Sequence, residues 1–228
     1  MKIAKLIAVA LTVAPVALAA TYATDANACG MSVRLEPIPQ KPTPVQEIAR
    51  AEKALESGQN LVAAKAVLAN FPRIRGATAG DHPLETRALR VFSLAVVRSD
   101  GAVNEKGAGF ASKEAWSPKA NLEWAVQALR EIDAKRPNDP TVQADLGEAL
   151  SKLPHRQGEA LTILQGLAQK DLMGSPHAYA ALAKLRSDKG DVSGAEAAIK
   201  RCEEMSKTPG VCKPRLPKGA AQAVAAKV

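Results

Sequence analysis

Residues 175–208 spell out a helical hairpin, and residues 139–174 spell out a second one of almost the same length; no other feature constrains the fold as tightly. In the later unit Ser175 caps a helix whose first turn holds Pro176. Tyr179, Leu182, Ala183 and Arg186 then recur at helical spacing until Gly190-Asp191 breaks the chain, and a second helix follows with Ala195, Ile199 and Cys202 on one face. The unit is 34 residues long, with small residues where its two helices must approach closely. The earlier unit opens at Asp139-Pro140 and carries Gln143, Leu146, Gly147 and Leu150. Its second helix carries Ala160, Leu164 and Leu167, displaced by one residue through a turn at Pro154-His155. Start to start, from Pro140 to Pro176, the distance is 36 residues.

The same pattern extends toward the N-terminus with less regularity. The spacing predicts a helix over 118–135, with Ala125, Leu129 and Ile132, running into Arg136-Pro137-Asn138. Its predicted partner spans 83–98, apolar at Leu84, Ala88, Leu89, Val91, Phe92, Leu94 and Ala95. A first unit begins near Pro44, with Ile48, Ala51 and Leu55, a break at Gly58, then Ala64, Leu68 and Phe71. About one residue in five of the 228 is Ala, a strong helix former and a poor strand former, so an all-α fold is expected.

Over residues 44–208 this pattern resembles the tetratricopeptide repeat family. That family places an aromatic residue, Leu-Gly or Leu-Ala, a glycine turn, a small residue and a bulky apolar residue at the offsets read above. The resemblance implies a right-handed α-solenoid of about four helix hairpins, and stacked hairpins of this kind need at least three copies to bury a continuous core. Two departures stand out: the aromatic position holds a Tyr only in the last unit, and an insertion at 99–117 in the second unit is foreign to the repeat.

The ends carry different information. Lys2 and Lys5 followed by an apolar run of about 14 residues read as a secretory signal peptide, too short to span a bilayer core. Cleavage fits after Ala19 or after Ala28, and the domain boundaries adopted are 1–28 for the signal and 29–43 for a proline-rich linker. Cutting after Ala28 removes Lys2, Lys5 and Asp25 and leaves 29 basic and 22 acidic residues. Five of the positive charges, Lys207, Lys213, Arg215, Lys218 and Lys227, lie beyond the last acid, Glu204, so the high pI belongs to the stretch after Glu204, four of them in a basic tail at 209–228. That distribution argues for a local electrostatic contact and against a nucleic-acid-binding domain. Cys29 stands at the second cleavage site and is free, paired or lipidated.

Catalytic motifs are missing. The sequence has no H-E-x-x-H, nucleophile elbow, phosphate loop or Cys-x-x-Cys, and His82, His155 and His177 pair with no Cys or carboxylate at ligand spacing. A non-enzyme without cofactor or metal is expected. Cys202 lies on the inner face of the last helix, and Pro209-Gly210 turns the chain so that Cys212 can return over it; a Cys202–Cys212 disulfide there would stand in for a missing capping helix. Pairing of Cys29 with either one stays open.

Proteins of the resembled family commonly bind a peptide or protein along the concave face of the first helices. Carried onto this sequence, that face holds Arg50 and Lys53, then Asp145, Glu148 and Lys152, then His177, Lys184 and Asp188. The family's carboxylate clamp is absent, because its two anchoring positions read Ala49 and Lys53, Ala144 and Glu148, Ala180 and Lys184. The insertion offers Phe110 and Trp116 as a second candidate contact. The reading that follows is an exported, non-catalytic scaffold for a protein or peptide in the cell envelope. Its alternative is a peripheral assembly factor docked on an anionic surface by the basic tail, or anchored through lipid on Cys29.

Overall fold

Repeated start signals fix where the helices begin. In the computed structural model, which describes residues 42–80, 82–103, 117–208 and 210–213, five helices open with proline at the first position. Proline suits that site because its missing N–H would have no partner there. The elements are α1 (Pro44–Glu56), α2 (Asn60–Asn70), α3 (Pro83–Arg98), α4 (Pro118–Lys135), α5 (Pro140–Ser151), α6 (Gln157–Gln169), α7 (Pro176–Asp188) and α8 (Val192–Met205), with short 3-10 turns at Ile74–Gly76 and Pro154–Arg156. No strand occurs among the described residues. Side-chain caps complete the signals: Thr43 and Gln46 form a reciprocal capping box, while Ser117, Asp139, Ser175 and Asp191 each accept from a backbone N–H of the first turn.

Glycine closes two of the hairpin turns. Gly58 (φ +74°) ends α1 and Gly190 (φ +79°) ends α7, both in the left-handed region that side chains disfavour. Consecutive helices pack on one another along the whole chain, giving the pairs α1/α2, α3/α4, α5/α6 and α7/α8. In addition α1 touches α3, α3 touches α5, and α5 touches α7, with no comparable contact between successive even-numbered helices. The odd-numbered helices therefore form one continuous layer. The core between the layers is largely aliphatic around the Phe92 ring, with Ile48, Leu89, Phe92, Leu129, Leu150, Leu164 and Leu182 almost fully excluded from solvent. Helices α5 and α6 approach closely at Gly147, where a Cβ would come within 2.6 Å of Leu164 Cδ2.

The long connection between α3 and α4 does not loosen their hairpin. Its two ends are joined: Gly101 lies against Pro118 so closely that a Cβ there would overlap the Pro118 backbone, and Asn121 Nδ2 donates to the Gly101 carbonyl at 2.9 Å. Beside them Trp124 meets Phe92 edge to face, with ring centroids 5.5 Å apart, and its Nε1 donates to the Arg75 carbonyl at 3.2 Å. The Arg75 guanidinium sits 5.2 Å from the same ring, pinning the first 3-10 turn onto α4. Phe110, Trp116, Cys29, the cleavage sites and the tail beyond Lys213 lie outside the described residues.

Candidate functional site

The layer of odd-numbered helices lines a groove of about 1000 Å³, whose walls include Lys53 of α1, Arg90 of α3, Ala144 and Asp145 of α5, His177 of α7 and Lys207 beyond α8. Charged residues cross from helix to helix along it. Arg87 holds Glu52 across α1 and α3 through two nitrogens, Nε at 2.6 Å. Arg90 Nε donates to Asp145 Oδ2 at 2.5 Å across α3 and α5. About two turns further along α3, Arg98 grips both oxygens of Glu148 at 3.0 Å each.

These pairs differ in depth, and depth decides their chemistry. The Arg98 and Glu148 side chains are 10% and 4% exposed. Burial pushes the Glu148 carboxyl up, but the Arg98 guanidinium outweighs it and holds the group below its ordinary value. Asp145 has the opposite balance. Burial raises its carboxyl to about 6, and the charge and single hydrogen bond of Arg90 only partly counter that. His177, at the start of α7, is pushed down to about 4, first by burial; Glu148 pulls it up, while Arg98 and Lys152 push it further down. Its imidazole forms no hydrogen bond with another described residue. At neutral pH it is an uncharged donor–acceptor on the groove wall.

The eight residues expected on a concave face divide into three groups. Lys53, Asp145 and His177 do line the groove. Glu148 is buried and occupied by Arg98, so the expectation of a charge offered to a ligand fails there: the partner of that carboxylate comes from α3 of the same chain. Arg50 pairs with Glu47 on its own helix at 2.7 Å, Lys152 reaches Asp100 at 2.7 Å, and Lys184 pairs with Asp188 at 2.5 Å, all outside the groove. The side chains that sequence reasoning missed are Arg90 and Arg98. A signal was present, since Arg90 interrupts and Arg98 ends the long apolar stretch of α3, where a charge must find a partner.

At the far end, the chain after α8 returns over the groove. Cys212, bonded to Cys202 with a Cα separation of 5.6 Å, fixes the end of that return. Both cysteines are buried. Among the described residues no cluster of three or more His, Cys, Asp or Glu side chains could hold a metal ion, and no helix is long and apolar enough to cross a membrane.

Fold and groove together define an all-α protein of paired helices with a charged inner face. No family model, curated protein or solved structure matches the chain.

Proposed function

We propose that this chain is an exported, non-catalytic scaffold of the tetratricopeptide type, a right-handed solenoid whose inner face binds a protein or peptide partner in the cell envelope. The observation that carries the reading is the groove. One helix from each of the four hairpins contributes to it, and its volume lies at the upper end of what recessed ligand sites enclose, roughly 300–1000 Å³. The unit lengths of 34 and 36 residues support the repeat, and the N-terminal apolar run and the Cys202–Cys212 bond both suit export into an oxidising compartment. The mechanism is presentation: the Arg98–Glu148 and Arg90–Asp145 pairs lock α3 to α5, so the groove is rigid before a ligand arrives and little ordering cost falls on binding.

A random peptide library selected against the mature chain tests this. Peptides that bind should lose about tenfold or more in affinity, ~1.4 kcal/mol, on Lys53→Glu or Thr141→Trp, two exposed positions on the groove wall. Gln127→Trp, exposed on α4, should change nothing. Binding lost at Gln127 and kept in the groove variants would move the site to the outer helices.

A further inference from the structure

Helix α8 ends at Met205, and the chain then turns across the groove instead of leaving the molecule. Met205, Ser206, Lys207, Thr208 and Val211 all line the groove. The turn is self-shaped: Ser206 Oγ donates to the Thr208 carbonyl at 2.9 Å and accepts from the Thr208 N–H at 3.1 Å, and the Val211 N–H donates to the Thr208 carbonyl at 3.3 Å. Its tip meets the opposite end of the molecule. Thr208 Oγ1 donates to the Glu56 carbonyl at 3.1 Å, a contact between residues 152 apart in sequence. The Thr208 methyl group lies 3.9 Å from where a Cβ on Gly58 would stand. The last hairpin is thereby tied to the first across the groove mouth.

That tie is weak on its own. The Thr208–Glu56 hydrogen bond is exposed, and an exposed bond between neutral groups competes with water on nearly equal terms. What limits the segment is covalent: Cys212 is bonded to Cys202 on α8, so the two fixed points are only ten positions apart in sequence. A short closed loop visits few conformations, and the one it adopts carries Thr208 to α1. Without the bond, the described contacts that hold the segment against α1 come down to the exposed Thr208–Glu56 hydrogen bond and the Thr208 methyl beside Gly58.

We propose that residues 205–208 and 210–212 form a strap latched by the Cys202–Cys212 disulfide, and that reduction by a dithiol releases the strap from α1 and opens the groove. This rests on the groove being the binding site. In the reduction, one thiolate of the dithiol attacks Sγ of Cys212, the less buried of the two cysteines, forming a mixed disulfide and expelling the Cys202 thiolate. The second thiol of the reagent then displaces Cys212, leaving two cysteine thiols and the oxidised, cyclised reagent. The pair is too buried to serve as a redox catalyst. Attack needs the strap to open locally first, which makes the latch slow and suits it to regulation by compartment or by a dedicated thiol protein.

The latch is tested without any ligand, which separates its failure from failure of the binding proposal. Amide hydrogen exchange of the full chain is compared before and after treatment with dithiothreitol, with free-thiol counting to confirm reduction. The expected result is exchange on the order of tenfold faster at residues 55–59, the end of α1 and the turn after it where Thr208 makes its contacts, with residues 140–169 unchanged. The double variant Cys202→Ala/Cys212→Ala should reproduce the reduced pattern under oxidising conditions, and Thr208→Val with the disulfide intact should leave residues 55–59 near the wild-type rate. Faster exchange confined to residues 203–213 would overturn the proposal, because the bond would then hold only its own loop. Loosening of the whole chain on reduction would overturn it too, in favour of a plain stability staple.

Discussion

Glu148 and Arg98 have to be judged as one unit, because each is tolerable in the interior only while the other is present. Removing one partner of a buried pair strands the remaining charge and typically costs about 3–5 kcal/mol, whereas replacing both by apolar groups of similar volume is often neutral or stabilising. Glu148→Ala is therefore expected to destabilise the protein by ~3–5 kcal/mol, and Arg98→Met with Glu148→Leu to lie within about 1 kcal/mol of wild type or above it, as read from urea unfolding. If the single and double variants fall equally far, the pair is not coupled as the geometry implies. The repeat resemblance named Glu148 as a residue offered to a ligand on the inner face. It could not reveal that a residue 50 positions earlier would claim it, since pairing at that separation depends on how α3 and α5 stack.

Element boundaries were the most legible level. Predicted spans 83–98 and 118–135 coincide with α3 and α4, because Pro83 and Pro118 mark the starts and the apolar spacing runs out at Arg98 and Lys135. The buried positions Ala125, Leu129 and Ile132 were equally readable. Less legible was the aromatic content. Trp124 occupies an ordinary helical position in α4, and nothing local shows that it packs on Phe92 and covers Arg75. The α5–α6 contact gives a test of the packing itself. Ala is the better helix former by about 1 kcal/mol, yet Gly147→Ala should destabilise the chain by ~1–3 kcal/mol, because the new methyl meets a Leu164 side chain that is fully buried and cannot retreat. In a Leu164→Ala background the same change should become neutral or stabilising. A double-mutant cycle by thermal or urea unfolding decides it, and equal effects in both backgrounds would show that the two residues do not meet.

At the scale of the whole molecule, the groove wall carries two groups of opposite tendency, His177 and Asp145, and stability against pH reports both. His177 is held at about 4 against an ordinary 6.5, so as pH falls from about 6.5 the unfolded chain takes up this proton first and the folded state loses ground until about pH 4. Asp145 is held at about 6 against 3.8, so over about 6 to 4 the folded state takes up the proton first and gains ground as pH falls. Each contributes at most about 1.4 kcal/mol per pH unit, with opposite sign, so the two nearly cancel through that window. Taking one away uncovers the other. Relative to wild type, His177→Gln should become progressively more stable as pH is lowered from 6.5 to 4.5, and Asp145→Asn progressively less stable. The slopes of these differences, from urea midpoints at half-unit steps, are the quantity to compare, because the fixed cost of each substitution drops out of a slope. The charged groups that act on this pair are Arg90 and Arg98 of α3, Glu148 of α5 and Lys152, which caps α5. Two variants with slopes of the same sign would mean that the groove does not impose opposite burdens on His177 and Asp145.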